Sequence, residues 1–135
     1  MSDAASSVVY TERHDRMMRL LKAGDVSVVD EAIDFLEADL DDLFAGYERE
    51  RIYGHLAHYD LTDAQADRLR RFVLSRCRGK RRRHEFRKLR VLARSVATAS
   101  WVAELRSLPR SEDATDREAE EQFIESVAQA VRANE

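Results

Sequence analysis

His55 and His58 stand three residues apart, a spacing that on a helix sets two imidazoles side by side and can chelate a transition metal if a third ligand arrives. Cys77 and His84 could in principle supply more ligands. The same two residues could instead serve as nucleophile and base, because the surrounding arginines would stabilise a thiolate. Asp41-Asp42 and Glu120-Glu121 are adjacent carboxylates of the kind used in acid–base work. Each has a plainer alternative. Helical histidine pairs are common at partly exposed edges, and no Glu follows His55 in an HExxH arrangement. Phe72 and Val73 precede Cys77 at helical spacing, which makes the thiol a small apolar filler. The acid pairs have no apolar pocket to separate their pKa values and read as solvated faces. No P-loop, nucleophile elbow or dinucleotide-binding glycine pattern is present. The sequence therefore predicts a non-enzyme with neither cofactor nor metal, and His14 adds nothing to that picture.

Charge carries more information than these groups do. From Arg68 to Arg94 there are 13 bases and one acid, Glu85, a local charge of 13 − 1 = +12; from Asp25 to Asp67 there are 13 acids and two bases, Arg49 and Arg51, a local charge of 2 − 13 = −11. The formal net charge of −3 hides this division. Two such blocks either fold onto each other or meet outside partners. Exposed ion pairs stabilise by only about 0.2–1 kcal/mol each, a weak reason to gather so many cations. Pairing of Arg87, Arg90 and Arg94 with acids of the second or last helix would hold neighbours in register. The turn over residues 78–83 is expected to stay unpaired.

The expected contact residues are Arg71, Arg78, Lys80, Arg81, Arg82, Arg83, Arg87, Arg90 and Arg94. They suit an acidic protein surface, or a second copy of the chain joined head to tail. The alternative is sequence-independent nucleic-acid binding, with the same residues on phosphates. Against it stand a sequence pI near 5.9, acidic surface elsewhere and no exposed aromatic platform near the tract, since Phe86 and Trp101 are assigned to packing.

The elements that must position these side chains are helices. The chain has 135 residues, 44% hydrophobic and 36% charged, with one Pro, four Gly and one Cys. That length suits one all-helical domain over 1–135, with residues 1–9 and the last few flexible. One Cys excludes a disulfide framework, and scarce Pro and Gly argue against a turn-dense β-sandwich. Neither a signal-peptide pattern nor an apolar run of membrane-spanning length occurs, so a cytoplasmic, membrane-free protein is expected.

Six helical segments follow from periodicity and punctuation. The first covers about Tyr10–Ala23 and stops at Gly24. The second covers Ser27–Phe44, with Val29, Ala32, Ile33, Leu36, Leu40 and Leu43 inward. Gly46 breaks the pattern before a third, Tyr47–Tyr59, with a stripe of Ile52, Leu56 and Tyr59. Thr62-Asp63-Ala64-Gln65 is a capping box opening a fourth, with Leu69, Phe72, Val73 and Cys77 buried; Gly79 marks the turn after it. The fifth runs from about Arg82 to Leu108, ended by Pro109, as a central pillar with Phe86, Leu89, Leu92, Ala93, Val96, Ala99, Ser100 and Ala103 on one face. Thr115 to Glu118 is a second capping box, opening a last helix to Ala133.

Gly46-Tyr47-x-Arg49-Glu50-x-Ile52, Leu61-Thr62-Asp63-Ala64-Gln65, Arg68-Leu69-Arg70, Glu85-Phe86-Arg87 and Leu92-Ala93-Arg94 together resemble a pattern in small uncharacterised bacterial all-helical proteins, some with HEAT-like helix pairing. The likeness covers Gly46 to Arg94. It implies paired antiparallel helices around the fifth, and no activity.

Overall fold

A helix begins where a side chain can replace the missing partners of the first amides, and four such starts are visible. Thr62 Oγ1 accepts from the Gln65 amide at 3.1 Å while the Gln65 side chain accepts from the Thr62 amide at 3.0 Å, the reciprocal box encoded by the sequence. Asp25, Thr98 and Asp113 each accept from an amide two or three residues on. The structure is a computed structural model describing residues 2–38, 43–77 and 85–134. Among the described residues all regular structure is helical: α1 (Ser2–Lys22), a 3-10 turn (Val26–Val28), α2 (Val29–Ala38), α3 (Leu43–Leu56), α4 (Asp63–Arg76), α5 (Phe86–Val96), α6 (Ala99–Ser107) and α7 (Ala114–Ala133).

Several expectations need correction. Among the described residues seven α-helices stand where about six were expected in the chain. The fifth segment is two helices: the backbone is extended at Ala97 and Thr98, and Thr98 caps a new start through the Trp101 amide. The break resets the face: Trp101, Val102 and Leu105 are buried, while Ala99, Ser100 and Ala103, expected to continue the apolar face, are exposed. Gly46 lies inside α3 and breaks nothing. The second segment starts from an Asp25-capped 3-10 turn rather than at Ser27. The last helix is capped by Asp113, not by the Thr115 box, because Asp113 reaches the Asp116 amide at 2.9 Å. Gly24 does stop α1, with φ +87°, the left-handed conformation open to a residue without Cβ.

One contiguous core runs through the bundle. It takes Ala32, Ile33 and Leu36 from α2, Ile52, Tyr53 and Leu56 from α3, Leu69 and Val73 from α4, Leu89, Leu92 and Ala93 from α5, and Phe123 and Val127 from α7. Leu36, Leu69, Leu89 and Leu92 are fully buried, each worth about 1.5–3 kcal/mol relative to exposure. α5 is the centre, packed on α3, α4 and α7, while α2 packs on α1 and α4. This position decides which of its side chains can reach solvent. No helix among the described residues is long and apolar enough to cross a membrane.

Candidate interaction surface

The basic run divides into arginines that the fold uses and cations that it leaves open. α3 supplies Arg49 and Tyr53 one turn apart, α4 ends in Arg76, and Glu85 immediately precedes α5. The Glu85 carboxylate accepts from Arg49 at 2.9 Å, from Tyr53 Oη at 3.1 Å and from Arg76 Nε at 3.4 Å, with both ion pairs buried. The Arg76 guanidinium also lies 5.6 Å from the Phe72 ring centre. Burial alone would push the Glu85 carboxyl up, but the Arg49 and Arg76 guanidinium groups outweigh it and hold it below the usual carboxylate range. Burial first, and then the Glu85 charge, push the Tyr53 phenol well above its ordinary value, so it stays a hydrogen-bond donor.

Arg68 reaches from α4 across to α2, pairing with Asp34 at 2.7 Å and bridging both Glu37 oxygens. Those carboxylates raise its pKa further above that of a free guanidinium. Arg70 pairs with Asp67 at 2.6 Å and donates to the Val96 carbonyl at 2.7 Å, which ties α4 to the end of α5. Arg94 donates to the Ser126 carbonyl of α7 at 2.7 Å rather than to an acid.

The expected contact residues have different fates. Arg78, Lys80, Arg81, Arg82 and Arg83 lie outside the described residues, as do His84, Gly79 and Asp41-Asp42. Arg71 sits in a groove between α2 and α4 beside Arg68, away from the α5 stripe in the chain's packing. Arg87 and Arg90 are exposed on α5, as is Lys88, and among the described residues none of these three, nor Arg71, makes an ion pair. Successive helix residues turn by about 100°. With Phe86, Leu89, Leu92, Ala93 and Val96 inward, Arg87, Arg90 and Arg94 fall on the flank toward α7, and Lys88 and Val91 on the flank toward α3.

On that second flank a groove of about 610 Å³ opens between α3 and α5, lined by Tyr47, Arg51, Gly54 and His55 of α3, by His58 of the turn after it and by Lys88 and Val91 of α5, with Glu50 at its wall. Glu48, itself 3.0 Å from His14, holds Arg51 in place at 3.2 Å. His55 and His58 also border a second groove of about 380 Å³ with Lys22, Gly24, Val26, Tyr59 and Asp60. Burial first, then the charges of Arg51, Lys22 and His58, lower the His55 pKa. The two imidazoles do line the same grooves, His58 from the turn after α3, but among the described residues no group of three His, Cys, Asp or Glu gathers that could hold a metal. Cys77 is buried in the core stripe and donates weakly toward the Leu74 carbonyl at 3.8 Å, and Glu120 is buried on Ser111 rather than solvated.

The sequence reading overlooked Tyr47, Gly54 and Val91. Its signal was available: Tyr47, Arg51, Gly54 and His58 recur at i, i+4, i+7 and i+11, a second helical face opposite the apolar stripe. No family profile, curated protein or solved structure matches this chain.

Proposed function

We propose that the chain is a non-enzymatic helical interaction protein that docks an acidic protein surface through the outer side of α5, with Arg87, Lys88 and Arg90 as contacts and Arg94 and Arg71 at the margins. One observation carries the reading. Glu85, Asp34, Glu37 and Asp67 take up the neighbouring arginines, yet Arg87, Lys88 and Arg90 stand exposed on the central helix with no ion pair among the described residues. Cations left without an ion pair there are available to an outside carboxylate. In this reading Arg78, Lys80, Arg81, Arg82 and Arg83, which lie outside the described residues, are further contacts. We place the protein in the cytoplasm and take α4 with α5 as a HEAT-like helix pair.

A second reading, sequence-independent nucleic-acid binding, gains support from Tyr47, which is 66% exposed beside Lys88 and offers the stacking face that the sequence did not reveal. Fluorescence anisotropy of a labelled polyglutamate peptide and a labelled single-stranded oligonucleotide, titrated at rising salt, separates the two. The leading reading predicts that the peptide binds and that the oligonucleotide does not. Retention of the oligonucleotide alone, with log K falling linearly in log salt, establishes the second reading instead.

A further inference from the structure

Asp30, Asp34 and Glu37 recur at i, i+4 and i+7 on α2, a period that sets them in one outward stripe, and their side chains are 71%, 69% and 42% exposed. One guanidinium serves all three. Arg68 lies 2.7 Å from Asp34 and 2.5 Å from Glu37 but 3.8 Å from Asp30, to which Gln65 adds a neutral donor at 3.2 Å. The neighbourhood stays negative when every charge is counted. α2 holds four acids and no base, and α4 as far as Arg71 holds two acids and three bases, so six acids stand against three bases.

α5 is the opposite case, with four bases and no acid. Arg87, Arg90 and Arg94 recur at i, i+3 and i+7 on its flank toward α7, and all three are exposed, although Arg94 also donates to the Ser126 carbonyl. The acids of α7 do not cancel them. Glu121 is taken by Arg110 and Glu125 by Arg106 and Arg132, which leaves Glu118, hydrogen-bonded to Gln122, as one carboxylate against three arginines. Lys88 lies on the other flank, across the groove from Glu50, and is outside this stripe.

α2 and α5 each pack on α4, with the arginine stripe turned toward α7, and among the described residues no ion pair joins the two stripes. Their spacings agree when one is read backwards. Asp30, Asp34 and Glu37 advance by four and then three residues, and Arg94, Arg90 and Arg87 retreat by the same steps. Each stripe therefore covers about 10 Å of helix at 1.5 Å per residue. We infer that α2 of one copy docks antiparallel on α5 of a second copy, with Asp30 opposite Arg94, Asp34 opposite Arg90 and Glu37 opposite Arg87. The inference rests on the acidic-partner reading above and makes that acidic surface the chain's own. A two-fold contact through either stripe alone would set like charge on like charge, so the contact is head to tail and leaves one stripe open at each end.

Sedimentation of the full chain across concentration at low ionic strength tests the assignment. Contacts built from exposed ion pairs are weak and screened, so the weight-average mass is expected to pass twice the 15.6 kDa of one chain by about 1 mM protein and to return to one chain in about 0.5 M salt. Arg87→Gln with Arg90→Gln, which breaks no ion pair of the described fold, should stay monomeric, as should Asp30→Asn with Asp34→Asn. Mixed in equal amounts, the two variants should form a dimer and nothing larger, because the acid stripe of the first meets the arginine stripe of the second and the other two stripes are blank. A wild-type monomer at every concentration would overturn the assignment, and so would an assembly that stops at two chains or one that survives Arg87→Gln with Arg90→Gln. In each of those cases, polyglutamate binding by the wild-type chain would leave the acidic-partner reading standing, and its absence would remove that reading as well.

Discussion

Arg68, Arg70 and Arg76 on α4 and Arg87, Lys88 and Arg90 on α5 come from one basic run, yet they meet different surroundings. The α4 group spans to α2, to the end of α5 and to Glu85, and each of its members is anchored by a carboxylate or a carbonyl. The α5 cations turn outward because the inward arc of that helix is filled by Phe86, Leu89, Leu92, Ala93 and Val96. Charge density along a sequence therefore does not distinguish cations that hold a fold together from cations that the fold leaves exposed. Packing of neighbouring helices makes that separation: it ties Arg68, Arg70 and Arg76 into the fold and leaves Arg87, Lys88 and Arg90 exposed.

Removing Glu85 would test the stability half most severely. Glu85→Ala leaves two buried guanidinium groups without the carboxylate they share, and is expected to cost about 3–5 kcal/mol in chemical denaturation. A loss below about 1 kcal/mol would mean that the cluster is not what fixes the start of α5.

Acid should act on the same cluster. Because the Glu85 pKa is held below its ordinary value, its contribution is complete above the usual glutamate range near pH 4.3 and is lost as pH falls through the depressed folded value. Wild type should lose stability between about pH 4 and lower values more steeply than Glu85→Gln, as measured by denaturation midpoints across pH. Parallel curves would assign acid sensitivity to other carboxylates.

Arg68→Ala removes the α4–α2 clasp at a partly exposed site, so a smaller loss of about 1 kcal/mol is expected, shrinking at high salt. Lack of any salt dependence would point to lost packing of the arginine stem.

Much of this architecture was legible in the sequence because the signals are local. The Thr62–Gln65 box, the Gly24 stop, the stripe of Leu69, Phe72, Val73 and Cys77 and the termination before Pro109 are each decided within a few residues. The break at Ala97–Thr98 was not, because a small, uncharged stretch reads equally well as continuous helix, and the turn is decided by burial of Trp101. Gly46 misled for the opposite reason, since a glycine is tolerated inside a helix that packing already holds. The candidate surface was half legible: Arg87 and Arg90 follow from the outward arc of an amphipathic helix, but the capture of Arg68 by α2 and of Arg76 by Glu85 spans helices, and no spacing rule reports it.

The division of labour between the two groups is tested most directly by the charge-reversed variant Arg87→Glu with Arg90→Glu, measured for thermal stability and for polyglutamate binding on the same sample. The account predicts stability within about 0.5 kcal/mol of wild type and loss of the peptide's affinity. A clear fall in stability with binding retained would contradict it, and would make the α5 cations part of the scaffold.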